Sequence, residues 1–222
     1  MEKIKWAGLA ILVVLFFGSV FWLSESKKIN LNGVDIHKEI SLKDKSGGIE
    51  EHVYHNNNSK VILIEYRDFQ CPSCGSNAPR IAKLAEDYKD KVKVIFRTLP
   101  LDIHPNSLSA AAAAESAGLQ GKYHEMSDLL FEKQNEWAYA DASKRTDLYI
   151  AYAKELGLNE AKFKEDMDSS KVKEKINFDK TVAAKAAVKG TPSFYLDGKE
   201  LSSEIWGDDA KLREALDQKL KN

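Results

Sequence analysis

The alternation of apolar and polar residues predicts β structure near both ends of the chain and helices between. Residues 61–64 are four consecutive aliphatic side chains inside a predicted strand at 60–69, as expected for a strand covered on both faces. Residues 74–88 repeat apolar positions at helical spacing, and residues 91–97 alternate apolar and charged side chains. This order predicts a right-handed crossover between two parallel strands. Pro79 falls inside the helical pattern, where we expect it to kink or split the helix.

Residues 105–189 are almost entirely helical in pattern. Apolar side chains recur at helical spacing in successive stretches, and Gly157, Asn159 and Gly190 end or cap them. The first stretch, at 107–119, contains five consecutive alanines, which are typical of a face packed closely against neighbouring helices.

The chain returns to β structure after Pro192. Residues 193–196 form a short predicted strand, Asp197-Gly198 a two-residue hairpin turn, and residues 199–201 the returning strand. An amphipathic helix ends the chain. The order of elements predicts an α/β thioredoxin fold with an inserted all-helical domain. It consists of a strand-helix-strand unit, a long helical interruption, a hairpin and a final helix.

The N-terminal residues predict a single transmembrane helix that precedes this fold. Residues 6–23 carry no charge and would span about 27 Å as a helix, close to the ~30 Å hydrocarbon layer. Because no A-x-A-like cleavage site follows, an uncleaved anchor is favoured over a removed signal peptide. The predicted parts are an anchor at 1–23, a polar tether at 24–50, the first part of the thioredoxin fold at 51–105, the helical insertion at 106–189 and the second part of the fold at 190–222.

Composition narrows the class of protein. The chain has 222 residues, 43% of them hydrophobic, and a net charge of −1. That is enough for a substantial core, and the near-neutral charge predicts no attraction to nucleic acid. Two cysteines cannot form a disulfide framework for a chain of this length, and no third cysteine is present to mispair with them.

The cysteine pair Cys71-Pro72-Ser73-Cys74 ends the buried strand and opens the following helix. There the free amide groups and the positive end of the helix dipole favour a thiolate, which is the species that attacks disulfides. Cys71 is the candidate nucleophile, and Cys74, one turn inward, is the candidate resolving thiol. The alternatives are a permanent disulfide or two inert thiols.

The histidines offer a second chemistry. His52-x-x-His55 precedes the cysteine pair, so that two nitrogens and two sulfurs could bind zinc, although the order is reversed relative to common zinc fingers. His104 and His124 could be catalytic, but such residues are more often satisfied at a surface or a domain boundary. The redox interpretation is therefore favoured, with no metal site.

Several segments resemble the DsbA-like thiol:disulfide oxidoreductases. Residues 65–74 (EYRDFQCPSC) resemble their active-site segment, and residues 97–105 (RTLPLDIHP) the passage into their helical insertion. Residues 110–121 resemble their first insertion helices, and residues 190–198 (GTPSFYLDG) their cis-proline loop and hairpin. The resemblance extends from about residue 61 to the C-terminus.

The resemblance implies an enzyme that introduces disulfides into exported proteins with thiols. The implied partner is a quinone-linked membrane protein that reoxidises it, and the disulfide between Cys71 and Cys74 carries the electrons without a dissociable cofactor. Together with the predicted anchor, this places a single-pass protein in the cell membrane with its catalytic domain on the extracytoplasmic side.

Three further residues acquire roles from the resemblance. Glu65 resembles a buried acid below the disulfide, where a raised pKa would let it take the proton from Cys74; alternatively, it faces solvent at the strand end. The Thr191-Pro192 bond is expected to be cis, with Thr191 pairing with the substrate backbone like an added strand; alternatively, it is an ordinary trans turn.

Pro72 and Ser73 are expected to tune the redox potential. Pro72 removes a backbone N–H that could stabilise the thiolate, and the Ser73 hydroxyl supplies one weak hydrogen bond. The best-known family members carry histidine in place of Ser73, and this difference shifts the pair toward reductase or isomerase behaviour. Two alternatives to the oxidase thus stay open: a reductase or isomerase using the same pair, and a non-catalytic tethered binding module.

Overall fold

A mixed β-sheet carries the cysteine pair at one end. In the computed structural model the strands lie in the order β1-β3-β2-β4-β5, with β2 and β3 parallel and the other neighbours antiparallel. The parallel pair confirms the predicted strand-helix-strand unit. The strands are β1 (His52–Tyr54), β2 (Ile62–Arg67), β3 (Lys93–Thr98), β4 (Ser193–Leu196) and β5 (Lys199–Glu200).

The structure describes residues 29–41, 45–55 and 58–221. The chain divides into two units, Met1–Gly33 and Val34–Asn222, and the whole sheet belongs to the second. The predicted membrane anchor at 6–23 lies outside the described residues. Among the residues that are described, no helix combines the length and the apolar character needed to cross a bilayer.

Helix α1 connects the parallel strands and runs without interruption through Pro79. Proline removes one intrahelical hydrogen bond, and the buried side chains of Ala78, Ile81 and Leu84 hold the helix against the core on either side of it. Of the two outcomes expected at Pro79, a split of the helix was therefore wrong. The helices are α1 (Pro72–Asp87), α2 (Ser107–Gly118), α3 (Tyr123–Glu132), α4 (Gln134–Trp137), α5 (Ala142–Glu155), α6 (Glu160–Met167), α7 (Ser170–Lys185), α8 (Ser203–Trp206) and α9 (Asp209–Leu220).

Helices α2 to α7 lie between β3 and β4 in the chain, where the sequence predicts a helical insertion. The alanine-rich α2 is central, because it contacts α3, α6 and α7. Ala110, Ala111, Ala113 and Ala114 are fully buried, and their small side chains let these helices approach closely. The predicted cap Asn159 accepts the Lys162 N–H at 2.9 Å and begins α6.

Three short elements are missing from the sequence prediction. Strand β1 has three residues, and helices α4 and α8 have four each. Segments of this length do not complete a hydrophobic period, so tertiary contacts define them. The hairpin turn was predicted correctly: Asp197 and Gly198 have φ values of 46° and 81°, as a primed turn requires.

The predicted tether at 24–50 includes residues that belong to the same unit as the sheet. From Val34 onward the described residues belong to the folded unit, and Ile36, Ile40 and Ile49 are each only 6% exposed. The prediction failed here because isolated isoleucines without helical or strand periodicity give no pattern, although each fills a place in the core.

Arg97 on β3 fixes this N-terminal segment to the sheet. Its guanidinium is fully buried and pairs with Glu51 at 2.5 Å. It also donates to the carbonyls of Ile36 and Lys38 and to the Tyr66 hydroxyl. Because every contact depends on one desolvated cation, its removal would leave Glu51 buried without its counter-charge.

We therefore predict that Arg97→Met lowers the free energy of unfolding by about 3–5 kcal/mol, because it leaves an uncompensated buried carboxylate. Urea unfolding followed by circular dichroism measures this change. Lys83→Met removes an exposed i,i+4 pair with Asp87 and should cost less than ~0.5 kcal/mol. Equal effects of the two substitutions would contradict the structural role of Arg97.

Candidate redox site

Cys71 lies at the junction of the sheet and α1. It is the N-cap residue of the helix, in an extended conformation (φ −67°, ψ 121°), and Pro72 occupies the first helical turn. Proline fits there because its missing N–H has no intrahelical partner to lose. Cys71 is 6% exposed and Cys74 is fully buried, and both are free thiols. The two sulfurs therefore differ in access, as the sequence predicts.

The surroundings of Cys71 stabilise its thiolate and lower its pKa to about 5. The largest contribution is a hydrogen bond from the Cys74 thiol; partial burial opposes it. The backbone N–H groups of Cys74 and Ser73 and the side chain of Thr191 add to the stabilisation. These amides are the unpaired donors at the start of the helix, so backbone geometry supplies much of the effect.

Cys74 shows the opposite behaviour, with a pKa raised well above 9.0. Burial is the main cause, followed by its hydrogen bond to Cys71 and the negative charge of Glu65. At neutral pH the pair therefore holds one thiolate at Cys71, which keeps a small exposed fraction, and one protonated thiol at the fully buried Cys74. This asymmetry is what stepwise exchange through a mixed disulfide needs.

The loop before β4 closes over the nucleophile. The Thr191-Pro192 bond is cis, as predicted. The Cys71 thiol donates to the Thr191 carbonyl across 3.3 Å. The Thr191 hydroxyl is buried and has no hydrogen-bond partner among the described residues. It is thus available as a donor to the sulfur once Cys71 loses its proton.

Glu65 lies inside the protein. It is 1% exposed on β2, so the alternative that it faces solvent was wrong. Its carboxylate pairs with the buried guanidinium of Arg67, which also donates to Ser127 at 3.1 Å and stacks on Phe96 at 3.5 Å. The sequence analysis did not anticipate Arg67 as this partner. Proton transfer between Glu65 and Cys74 stays a prediction, and it would have to compete with the ion pair.

Asp68 organises the segment before the cysteines, a role that the sequence analysis missed. Its buried carboxylate accepts the Gln70 N–H at 2.8 Å and the Ser107 hydroxyl through one oxygen. The other oxygen accepts the Leu101 N–H at 2.9 Å and bonds the His104 ring nitrogen at 2.7 Å. His104 is therefore a boundary residue satisfied by a carboxylate. Because the partners are distant in sequence, no local pattern indicated them.

The remaining histidines do not join the cysteines. His52 pairs with buried Glu115 at 2.8 Å, and His55 pairs with Glu86 at 2.6 Å. His124 bonds the Val53 carbonyl at 3.2 Å, and burial lowers its pKa to about 4. Within the described part of the chain, no cluster of three potential metal ligands occurs. The zinc alternative therefore has no support in the geometry.

The low pKa of Cys71 makes its reactivity nearly independent of pH above neutrality. Iodoacetamide alkylation of the reduced protein should be half-maximal near pH 5 and almost constant between pH 7 and 8, because only the thiolate reacts. Stopped samples analysed by peptide mass spectrometry assign the reaction to Cys71 or Cys74. A rate that rises about tenfold between pH 7 and 8 would be that of an ordinary cysteine and would contradict the geometry.

Thr191→Val tests the contribution of the hydroxyl. The variant keeps the side-chain shape but removes the donor, so we expect the pKa of Cys71 to rise from about 5 toward about 6. Thiolate absorbance at 240 nm against pH measures the change. Ser193→Ala is the matched control, because its hydroxyl donates to the Gly190 carbonyl instead. An unchanged titration in Thr191→Val would exclude a role for this donor.

Solved structures share this architecture. BdbD from Bacillus subtilis, in its oxidised form, is 23% identical and superposes with a TM-score of 0.67 over 83% of this chain and 97% of its own. The thiol-disulfide exchange protein alpha-DsbA2 from Wolbachia pipientis is 23% identical, with a TM-score of 0.63 over 79% of this chain and 90% of its own. At these identities the likeness shows the fold alone.

Sequence comparison gives the family. The Na(+)/H(+) antiporter NhaA 3 of Salinispora tropica is 37% identical over 150 residues, which are 67% of this chain but 22% of the antiporter. The chain thus spans about a fifth of the length of the curated relatives it matches. The thioredoxin family profile matches residues 48–218, which include the sheet, the helical insertion and both cysteines. The chain belongs to the thioredoxin family.

Proposed function

We propose that the protein is a thiol:disulfide oxidoreductase that introduces disulfides into exported proteins through Cys71 and Cys74. The observation that carries this proposal is the placement of Cys71 at the N-cap of α1 against the cis-proline loop, with Cys74 fully buried one helical turn further along. The opposite shifts of the two thiol pKa values follow from this placement. The DsbA-like fold and the name of alpha-DsbA2, a thiol-disulfide exchange protein, support the same chemistry.

The reaction starts from the oxidised pair. A client thiolate attacks the Cys71 sulfur, the Cys71–Cys74 bond breaks, and the sulfur of Cys74 leaves with the electron pair and takes up a proton. A second client thiolate then attacks the client sulfur of the mixed disulfide and releases Cys71 as a thiolate. The client loses two electrons and gains a disulfide, and the enzyme holds both electrons as a dithiol.

The stability of the Cys71 thiolate determines the direction of electron transfer between the client and the enzyme. A pKa lowered from 9.0 to about 5 stabilises the reduced form wherever the pH lies above about 5, and this stabilisation is lost as the pH falls through that value. At pH 7 it amounts to about 100-fold in the redox equilibrium, or about 60 mV toward a more oxidising pair. Stabilising the reduced form drives electrons from client to enzyme, which favours the oxidase.

The cis-proline loop supplies the client site. The Thr191 carbonyl lies 3.3 Å from the Cys71 sulfur, so a client strand aligned on the Thr191 backbone brings its own sulfur to the nucleophile. Main-chain pairing of this kind gives affinity without sequence specificity. This suits an enzyme with many clients.

The proposal includes a location and a partner. Residues 6–23 anchor the chain in the cell membrane with the redox domain on the extracytoplasmic side, and a quinone-linked membrane protein reoxidises the pair. The redox-active disulfide is the only cofactor that the mechanism requires, and nucleic acid has no part in it.

Ser73 supports a second candidate, a reductase or isomerase that uses the same residues. Ser73 stabilises the Cys71 thiolate through its backbone N–H, a donor that any residue except proline would supply at this position. The chain therefore lacks the side chain that the best-known DsbA-like proteins carry there, a histidine. The equilibrium constant with glutathione separates the candidates, because an oxidase is reduced by glutathione far more readily than a thioredoxin-like reductase.

Cys74→Ala should trap clients. Without Cys74 the chain forms no internal disulfide, but the Cys71 thiolate still attacks a client disulfide and displaces one client thiolate. No neighbouring thiol then breaks the mixed disulfide, and we expect adducts that disappear on treatment with dithiothreitol. Non-reducing gels of cells that express the full chain detect them. Cys71→Ser in the same background is the control and should form none. If folded, exported Cys74→Ala formed no adducts, the protein would be a binding module rather than an enzyme.

A further inference from the structure

Gln134 connects the helical insertion to the segment that carries the nucleophile. It is the first residue of α4, and its side-chain amide donates to the Phe69 carbonyl at 2.7 Å and to the Cys71 carbonyl at 3.0 Å. One carboxamide thus holds two carbonyls on the turn that leads from β2 into α1.

The Cys71 carbonyl is a sensitive point of the site. It also accepts the Gly75 N–H at 3.0 Å, the bond that closes the first turn of α1. The orientation of this peptide group therefore sets both the start of the helix and the direction of the Cys71 side chain. The amides of Ser73 and Cys74 face the sulfur only while that orientation is kept.

Gly75 gives an independent indication. Glycine is a poor residue for the interior of a helix, yet it follows the cysteine pair directly in α1. A Cβ at this position would come within 2.9 Å of the Gln134 side-chain oxygen. The absence of a side chain on Gly75 leaves the space that the Gln134 carboxamide occupies. The helix therefore has a residue of low helix propensity at the point where Gln134 approaches.

A second contact joins the same two regions. The Gln70 side chain donates to the Ala138 carbonyl at 2.6 Å and accepts the Asn106 N–H at 2.6 Å. Both ends of the segment 134–138 therefore form hydrogen bonds with the turn before α1. The backbone pairing of β2 with β3 stops at Arg67, so these contacts from the insertion hold the turn beyond the end of the strand.

We propose that Gln134 is a positioning residue for thiol-disulfide exchange: its carboxamide holds the carbonyls of Phe69 and Cys71 and thereby keeps the Cys71 sulfur against the N-terminus of α1. The inference rests on the proposed function for its consequence in catalysis. The positioning itself is measurable without any client.

Gln134→Met tests the proposal, because methionine keeps the length of the side chain and removes the donor. We expect the pKa of Cys71 to rise from about 5 to about 6, measured as thiolate absorbance at 240 nm. The equilibrium with glutathione should become about tenfold less oxidising. Gln218→Met on α9 is the control, since that exposed amide donates to Glu214 one turn away on its own helix, and it should leave both values unchanged.

Gly75→Ala provides a second route that keeps Gln134. The added methyl group would displace the flexible carboxamide, so we expect the same rise in the pKa of Cys71. In a Gln134→Ala background, which has room for the methyl group, Gly75→Ala should cause no further rise and should increase the melting temperature, because alanine favours the helix. A merely structural role for Gln134 would change the melting temperature but not the thiol titration.

The outcomes separate the two proposals. If the wild-type protein oxidises a dithiol peptide while Gln134→Met and Gly75→Ala both keep its thiol titration and glutathione equilibrium, Gln134 has no positioning role and the proposed function stands. If the wild-type protein exchanges no disulfides, the proposed function fails, and the thiol titrations of the same variants still decide the role of Gln134.

Discussion

One sulfur atom held against the start of one helix underlies both the chemistry and the architecture of this protein. Cys71 occupies the N-cap of α1, where unpaired amides and the Cys74 thiol stabilise negative charge on its sulfur. One turn further along, Cys74 is desolvated and holds its proton. The two thiols thus differ in access and in acidity: the Cys74 thiol and the helix amides stabilise the Cys71 thiolate, and burial keeps the proton on Cys74.

The rest of the fold keeps that contact in place. Strand β2 pairs with a neighbouring strand on each edge, and this pairing fixes the start of the turn that carries Cys71. The cis-proline loop before β4 contacts the Cys71 sulfur through the Thr191 carbonyl. The insertion reaches the turn through side chains: Asp68 binds Ser107 and His104, and Gln134 binds two carbonyls. Buried polar groups of this kind are costly unless they are fully paired, and once paired they specify a single arrangement.

Sequence reasoning worked where the signal is periodic or local. The buried run of β2, the helical spacing of α1, the cap at Asn159 and the turn at Asp197-Gly198 follow from rules that involve neighbouring residues, and the structure confirms them. It failed for β1, α4 and α8, which are too short to show a period. It also failed for Ile36, Ile40 and Ile49, which are buried although no periodic pattern surrounds them.

The class of fold and the position of the cysteine pair at the start of a helix could be predicted from the sequence alone, because hydrophobic periodicity and a four-residue motif involve residues that are neighbours in the chain. The residues that contact or surround the cysteines could be identified only from the tertiary structure. Arg67 at Glu65, Thr191 at Cys71 and Gln134 at the turn are contacts between groups that folding brings together. Hydrogen bonds and desolvation act over a few ångströms of space, and a linear pattern does not encode those distances.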